Sequence, residues 1–134
     1  MLKTACINPE LMKALSFCGH GDKILIADGN YPLSSKTGDA AKVYLGLTKG
    51  IPLVTDVLNV LKQEVSIEQA EVMVPEGAEP PIFREFRGIL NGIELKPLKR
   101  FDFYDACCAQ GVKLAISTGE SRTFANILLT VGVA

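Results

Sequence analysis

The chain lacks tryptophan, has a single histidine and carries almost no net charge. Its 134 residues include 14 Lys and Arg against 15 Asp and Glu, which gives a formal charge of -1. This balance argues against a nucleic-acid-binding protein, which would show an excess or a stripe of basic residues, and against a polybasic membrane-binding surface. A single histidine also excludes a His-rich metal site, so we expect no metal.

Long apolar runs and a secretory leader are missing as well. Apolar runs such as Ile24–Ala27 last about four residues, far short of the roughly 20 that a membrane-spanning helix needs. Polar residues and a proline interrupt the N-terminal stretch, so it does not resemble a signal peptide. The four cysteines form no C-x-x-C motif, and the adjacent Cys107 and Cys108 are poor disulfide partners for each other. We therefore expect four reduced thiols in a cytoplasmic protein.

The motifs of several common enzyme classes are also absent. The chain contains no G-x-G-x-x-G, no G-x-x-x-x-G-K-[ST], no G-x-S-x-G and no H-E-x-x-H sequence. Dinucleotide-dependent redox chemistry, P-loop phosphoryl transfer and serine hydrolysis therefore have no support in the sequence.

The remaining composition is that of one ordinary folded domain. Hydrophobic residues make up 48% of the chain and charged residues 22%, so bulk disorder is excluded. The chain shows no internal repeat and no low-complexity linker, and its length is typical of a single domain. We therefore treat residues 1–134 as one domain.

Helical and strand patterns alternate along the chain. Asn8 and Pro9 predict the start of a helix that ends near Gly19. Further helices are predicted over 54–61, after the two prolines 80–81, and over 102–111 with Asp102 as the N-cap; strands are predicted at 23–28, 43–47, 68–74, 93–98, 112–117 and 126–131. This alternation indicates an α/β fold in which helices cover a sheet.

Two polar segments follow predicted strands. Asp28 ends the first apolar strand and opens a long loop over 29–42, and residues 118–122 follow the strand at 112–117. Ligands of α/β proteins commonly bind beyond the carboxyl ends of strands, which favours a functional role for Asp28. An Asx-turn, in which the carboxylate binds its own loop backbone, explains Asp28 equally well. For residues 118–122 an ordinary turn is the simpler interpretation.

The single histidine lies between two glycines, in Gly19-His20-Gly21-Asp22, just before the first strand. The glycines let the backbone turn sharply and leave the imidazole uncrowded. A His and a carboxylate together can perform acid–base chemistry near neutral pH. From this segment alone, a residue that interacts with the last carbonyls of the preceding helix is the simpler interpretation.

Taken together, these segments resemble the RbsD/FucU family of sugar mutarotases. The family pattern is a Gly-His-x-Asp turn, an apolar strand that ends in Asp, and then a Pro, which correspond here to residues 19–22, 24–28 and Pro32. A C-terminal pattern follows, with Gly-Glu at 119–120, Phe-Ala-Asn-Ile-Leu-Leu at 124–129 and Gly-Val at 132–133. The match spans essentially the whole chain in the same order. It implies a three-layer α/β/α fold with a central mixed sheet.

The resemblance implies an enzyme that interconverts anomers or ring forms of a free monosaccharide without any cofactor. In such a reaction one group removes the proton of the anomeric hydroxyl and another protonates the ring oxygen. His20 matches the proton donor of the family, and Asp28 matches a ligand of a sugar hydroxyl. The resemblance also implies rings of subunits stacked into a decamer, with each site at a subunit boundary.

Two positions bear on which sugar the protein prefers. Arg100, within Lys-Arg-Phe-Asp-Phe-Tyr at 99–104, matches the sugar-contacting Arg of the fucose mutarotase branch, whereas the ribose pyranase branch tends to have His there. The segment at 47–52 is instead closer to the ribose branch. We expect L-fucose as the substrate because Arg100 would contact the sugar, and D-ribose is the alternative.

One site position departs from the family pattern. The family has Tyr before (Ala/Gly)-Asn, and this chain has Phe124 followed by Ala125 and Asn126, all three of which we expect to line the sugar pocket. Phe124 lacks the hydroxyl, which Tyr31, Tyr104 or a group of a neighbouring chain could replace. The change also favours a rival interpretation, in which the protein binds a sugar or assists transport without turnover. A purely structural oligomer is a third alternative.

Overall fold

Ten regular elements alternate along the chain in the computed structural model described here, which covers residues 1–134. The four helices are α1 (Pro9–Ser16), α2 (Val54–Glu64), α3 (Ile82–Ile89) and α4 (Arg100–Cys107). The six strands are β1 (Lys23–Ala27), β2 (Ala41–Tyr44), β3 (Ile67–Met73), β4 (Leu95–Leu98), β5 (Val112–Ser117) and β6 (Ile127–Val131).

All six strands form one mixed sheet in the order β2-β5-β1-β6-β3-β4. The pairs β2–β5, β5–β1 and β3–β4 are parallel, and β6 is antiparallel to both of its neighbours, β1 and β3. Five strands therefore run in one direction and β6 runs in the other. The predicted α/β fold with a central mixed sheet is confirmed.

The sheet lies between two unequal layers of helices. Strand β1 shows why, because its apolar run is buried on both faces: Ile24 and Ile26 join the larger apolar cluster, and Leu25 and Ala27 join the smaller one. The larger cluster contains the apolar faces of α1, α2 and α3, and the smaller one contains α4 through Phe103 and Cys107. Only one short helix therefore covers the second face of the sheet.

Most element boundaries agree with the sequence prediction, and one helix start does not. The side chain of Asn8 caps α1 by accepting a hydrogen bond of 3.0 Å from Leu11 N–H, as predicted. Helix α4 begins at Arg100 with Lys99 as its N-cap, so Asp102 lies in the first turn and is not the cap. The predicted cap was wrong because an acidic residue is also favourable inside a first turn, near the positive end of the helix dipole. Strand β2 begins two residues earlier than predicted and ends at Tyr44.

The direction of the strands gives the sheet two distinct edges. The carboxyl ends of the five co-directional strands and the start of β6 lie along one side of the sheet. A cavity described below opens there, so we call this side the cavity edge. The opposite edge contains the starts of β1 and β3 and the end of β6. None of the helices is long and apolar enough to span a bilayer.

Candidate active site

A cavity of about 210 Å³ opens at the cavity edge of the sheet. Its lining combines polar side chains with aromatic rings, and consists of Asp28, Asn30, Tyr31, Met73, Arg100, Tyr104, Thr123, Phe124 and Asn126. Pockets that enclose drug-sized ligands are usually about 300–1,000 Å³, so this cavity is small by comparison. The chain therefore presents a polar and aromatic wall that encloses only a small volume.

The carboxylate of Asp28 is held in place by backbone N–H groups. Its Oδ1 accepts hydrogen bonds of 2.9 Å from the N–H groups of both Asn30 and Tyr31, and its Oδ2 accepts one of 3.3 Å from Ala125 N–H. Burial raises the pKa of the Asp28 carboxyl above its usual value, although these hydrogen bonds oppose the change. The Asx-turn considered from the sequence is thus present, and the same side chain also faces the cavity.

Residues 124–126 cross the base of the cavity and connect it to Asp28. Phe124 adopts φ = 56°, in the left-handed region that non-glycine residues rarely occupy. Ala125 is fully buried, and its N–H contacts Asp28. Asn126 is also buried, and its Oδ1 accepts a 2.8 Å hydrogen bond from Asp28 N–H. This conformation, uncommon for Phe, thus occurs where two chain segments contact each other next to the cavity.

Helix α4 contributes a cation and a phenol to the cavity wall. Arg100 and Tyr104 lie four residues apart, so they project from the same face of the helix. Arg100 Nε donates to Tyr104 Oη over 3.3 Å, and the guanidinium carbon lies 5.7 Å from the centre of the Tyr104 ring. The same carbon lies 5.8 Å from the centre of the exposed Phe101 ring. These contacts restrict the guanidinium at the mouth of the cavity.

The two tyrosines of the cavity differ in what their hydroxyl groups can do. Tyr31 Oη donates a 2.8 Å hydrogen bond to the carbonyl oxygen of Lys36, so its proton is already used within the chain. Tyr104 Oη accepts from Arg100, so its own proton is not used in that contact. Of the two residues considered as sources of a hydroxyl, Tyr104 is the one whose donor remains available.

His20 lies at the opposite edge of the sheet from all the other predicted site residues. The loop that carries it is bound there, because Gly21 N–H donates a 2.8 Å hydrogen bond to the carbonyl oxygen of Val131 at the end of β6. Asp28 follows the far end of β1, and a five-residue strand is about 17 Å long. His20 Nε2 is 3.0 Å from Glu68 Oε2, and the two side chains are 59% and 40% exposed. Within one chain, His20 does not contact the cavity.

A second, more polar cleft of about 450 Å³ adjoins the cavity at Asn30. It is lined largely by loops, including residues 118–121 of the polar segment that was considered from the sequence. Glu120 in this segment is 1% exposed and forms an ion pair with Arg122, whose guanidinium also contacts Glu85. Burial acts to raise the pKa of Glu120, but the hydrogen bonds and charge of Arg122 lower it overall. This segment is therefore more than an ordinary turn, because its buried carboxylate is paired with a partly exposed guanidinium.

The structure brings four predicted side chains around one cavity, with the backbone of Ala125 against one of them. These are Asp28, Arg100, Phe124 and Asn126, which come from three separate chain segments. Sequence reasoning missed Asn30, Met73 and Thr123 in the lining. It also missed the contact between His20 and Glu68, because residues 48 positions apart give no local signal of contact. No three His, Cys, Asp or Glu side chains come together as a possible metal site.

Chemically, this arrangement suits a small polyhydroxylated molecule. The carboxylate of Asp28 and the guanidinium of Arg100 can bind hydroxyl groups through strong, charge-assisted hydrogen bonds. The ring of Phe124 offers an apolar face on which C–H groups can pack. The titratable Asp28 and the phenol of Tyr104 can also exchange protons with such a molecule.

Comparison with known proteins identifies the family to which the chain belongs. The model of the RbsD / FucU transport protein family matches residues 1–134. A D-ribose pyranase of Staphylococcus haemolyticus is 37% identical, with 99% of this chain and 98% of that protein covered. Human fucose mutarotase is 34% identical, with 96% of this chain and 90% of that protein covered.

A solved structure shows the same fold. RbsD of Bacillus subtilis, complexed with D-ribose, superposes with a TM-score of 0.87 at 30% sequence identity, and the match covers 100% of this chain and 99% of that chain. The whole-chain family match and these relatives establish one conclusion. The chain belongs to the RbsD/FucU family, whose relatives named above are a ribose pyranase and a fucose mutarotase.

Proposed function

We propose that this RbsD/FucU protein is a cofactor-independent mutarotase that interconverts the anomers or ring forms of a free monosaccharide, with L-fucose as its substrate. The observation that carries the proposal is the cavity itself, in which a buried carboxylate, a guanidinium and an aromatic ring face one small volume. This combination is suited to a sugar, because hydroxyl groups bind the polar groups while C–H groups pack on the ring.

The proposed reaction moves only protons between the sugar and the protein. Asp28 takes the proton of the anomeric hydroxyl, and protonated His20 gives a proton to the ring oxygen as the ring C–O bond breaks. The resulting open-chain aldehyde rotates and closes on its other face or through another hydroxyl, and both proton transfers reverse. The raised pKa of Asp28 supports its role, because a more basic carboxylate accepts a proton more readily. General acid–base catalysis of this kind contributes about 10²- to 10⁴-fold.

Because His20 is remote from Asp28 in one chain, the proposed site is shared between two copies. His20 of one copy would complete the cavity of the next, which agrees with the small volume of about 210 Å³ that one chain encloses. Exposed aromatic rings flank both halves: Phe17 lies three residues before His20 and is 74% exposed, and Phe101 follows Arg100 and is 72% exposed. Contacts between copies would bury these rings. We propose a decamer as the assembly that forms these contacts.

The choice of L-fucose rests on Arg100. Its guanidinium lies at the mouth of the cavity and is held by Tyr104 and Phe101, so it is positioned to contact a sugar hydroxyl. D-ribose remains the alternative substrate, because a ribose pyranase is among the relatives at 37% identity and a ribose complex has the same fold. Substitution Arg100→His, which introduces the residue of the ribose branch, should shift the preference of the protein towards ribose.

A protein that binds sugar without turnover is the second candidate function. The observation that favours it is Phe124, which lines the cavity without a hydroxyl group that could move a proton. Stoichiometric binding of several aldoses without any acceleration of their exchange would support this candidate and contradict the mutarotase.

Magnetisation-transfer NMR of L-fucose and D-ribose tests the proposal directly. Catalytic amounts of the protein should accelerate exchange between sugar forms, with a larger effect on fucose. His20→Ala should abolish the acceleration, and it should leave the fold intact because the imidazole is largely exposed in one chain. Glu79→Gln, a surface substitution that lies outside the cavity lining and pairs with Arg87 instead of His20, is the control and should keep full activity. No acceleration by the wild-type protein with any aldose would contradict the proposal.

A further inference from the structure

The contact between His20 and Glu68 joins two parts of the chain that are 48 residues apart. Glu68 is the second residue of β3, and its carboxylate oxygen Oε2 lies 3.0 Å from His20 Nε2. No group at the cavity edge takes part in this contact. The sequence motif that contains His20 ends at Asp22, so the motif by itself includes no acidic partner from β3.

Glu68 is held against the end of β6. A Cβ atom placed on Gly132 would lie only 3.2 Å from Glu68 Cβ and 3.5 Å from Glu68 Oε2. Gly132 N–H donates a 2.8 Å hydrogen bond to the carbonyl oxygen of Ser66, which keeps this close approach in register. The absence of a side chain at Gly132 thus leaves the space that the Glu68 side chain occupies.

The loop of His20 is attached to the same end of β6. Gly21 N–H donates to the carbonyl oxygen of Val131 over 2.8 Å, and Val131 N–H donates to the carbonyl oxygen of Asp22 over 2.9 Å. The carboxylate of Asp22 closes the turn by accepting a 2.8 Å hydrogen bond from Gly19 N–H. Both partners are therefore positioned by one strand end, and their separation is set by the sheet rather than by two mobile side chains alone.

We propose that Glu68 is a positioning residue for His20: its carboxylate accepts a hydrogen bond from His20 Nε2–H and thereby leaves Nδ1 as the nitrogen that faces the sugar. This inference rests on the proposed function and extends it to a named atom. When His20 carries two protons, the Glu68 carboxylate stabilises the imidazolium ion. His20 then gives its Nδ1 proton to the ring oxygen while Asp28 of the neighbouring copy takes the anomeric proton, and the reverse transfers restore both groups.

A role in stability alone does not account for the pair. Exposed ion pairs contribute little to folding, and both side chains are more than one-third exposed in one chain. A hydrogen bond to one ring nitrogen, in contrast, determines which nitrogen of a histidine carries the proton and how the ring is oriented. If a second copy covers His20, exclusion of water would strengthen the same contact.

The test uses the assembled protein and three substitutions. Glu68→Ala removes the acceptor and the charge, and loss of such an orienting partner typically costs about 10- to 100-fold. We expect that loss in kcat, with KM changed less than about 2-fold, because Glu68 does not contact the sugar. Glu68→Gln keeps an acceptor oxygen without the charge, so it should recover part of the lost kcat. Glu79→Gln is the control for loss of one surface carboxylate and should behave like the wild type.

NMR gives a readout that does not depend on activity. His20 is the only histidine, so ¹⁵N-labelled protein shows one imidazole without any assignment problem. In the neutral ring we expect the proton on Nε2, with slow exchange with water in the wild type and in Glu68→Gln. In Glu68→Ala this protection should be lost.

Three outcomes would overturn the inference. These are wild-type kcat in Glu68→Ala, a neutral wild-type ring protonated on Nδ1, or equal losses of kcat in Glu68→Gln and Glu79→Gln. If Glu68→Ala fails to fold, the kcat of Glu68→Gln and the position of the proton on the wild-type imidazole still test the inference. If the wild type accelerates no sugar exchange, the proposed function fails, and the NMR result still tests the contact by itself.

Discussion

The groups proposed for the site differ in burial and in hydrogen bonding between the two edges of the sheet. At the cavity edge, Asp28 and Asn126 are each 3% exposed, and backbone N–H groups donate to the side chains of both. At the opposite edge, His20 and Glu68 are 59% and 40% exposed and contact each other. One half of the proposed site is therefore ordered within a single chain, and the other half is still open to solvent.

In the proposed mechanism, this difference keeps the acid and the base apart within one chain. Asp28 and His20 would form an ion pair if they lay side by side in the same chain. Strand β1 separates them by its whole length, so each has its own environment within the chain. The predictions below test whether the two edges have the separate roles that this comparison assigns to them.

The largest expected effect comes from mixing two inactive variants. His20→Ala and Asp28→Ala should each abolish sugar exchange in a uniform assembly. When equal amounts are dissociated and reassembled together, about one quarter of the shared sites should combine an intact His20 with an intact Asp28. Magnetisation-transfer NMR should then show up to that share of wild-type activity. If the mixture stays inactive, although hybrid assemblies are detected by native mass spectrometry, the sharing of the site between copies is wrong.

The same two variants should differ in stability. Asp28→Ala leaves the buried N–H group of Ala125 without its acceptor and leaves that of Tyr31 only the 3.3 Å contact with the carbonyl oxygen of residue 28; an unsatisfied buried group costs about 1–3 kcal/mol. His20→Ala changes an exposed side chain, and its free energy of unfolding should remain within about 0.5 kcal/mol of the wild type. Urea unfolding of both variants measures the difference. Equal stabilities would show that the cavity edge is not ordered by Asp28.

Two buried carboxyl groups at the cavity edge should give opposite pH dependences of stability. The pKa of Glu120 is lowered on folding, so its contribution is present above its unfolded pKa of about 4.3 and is lost as the pH falls through the lowered value. The pKa of Asp28 is raised, so its contribution is present below about pH 3.9 and is lost as the pH rises through the raised value.

Urea unfolding between pH 2.5 and pH 7 separates these two contributions. Glu120→Gln should flatten the loss of stability on the acid side, whereas Asp28→Asn should remove a loss that occurs as the pH rises. If Glu120→Gln loses stability at low pH as steeply as the wild type does, Glu120 is not the source of that loss.

The smallest effect concerns the hydroxyl groups of the cavity. Tyr104→Phe should lower the exchange rate about 10-fold if the free proton of Tyr104 assists the reaction, which is less than the 10²- to 10⁴-fold contribution of a full general acid–base group. Phe124→Tyr should raise the rate a few-fold and offset most of the loss in the double variant. Tyr31→Phe is the matched control. The Tyr31 hydroxyl donates its hydrogen bond to the carbonyl oxygen of Lys36, so its removal should not change the exchange rate. Equal rates in Tyr104→Phe and the wild type would assign no role to that hydroxyl.

Local patterns predicted the elements well where one strong signal determined them. Asn8 and Pro9 placed the start of α1, and the apolar run 24–27 placed β1, because capping and burial depend on residues close in sequence. The cap of α4 was missed because Asp102 suits both a cap and a first turn. The positive φ of Phe124 had no sequence signal, since such a conformation is imposed by contacts with Asp28 through Ala125.

The sequence by itself determined the alternation of helices and strands, the family of the chain and the chemical types of the residues proposed for the site. It determined these because they depend on periodicity, capping and ordered motifs along the chain. Only the tertiary structure decided that Asp28, Arg100, Phe124 and Asn126 surround one cavity, and that His20 lies at the other edge beside Glu68. The reason is that strand order and direction, which no local pattern encodes, decide which distant residues become neighbours.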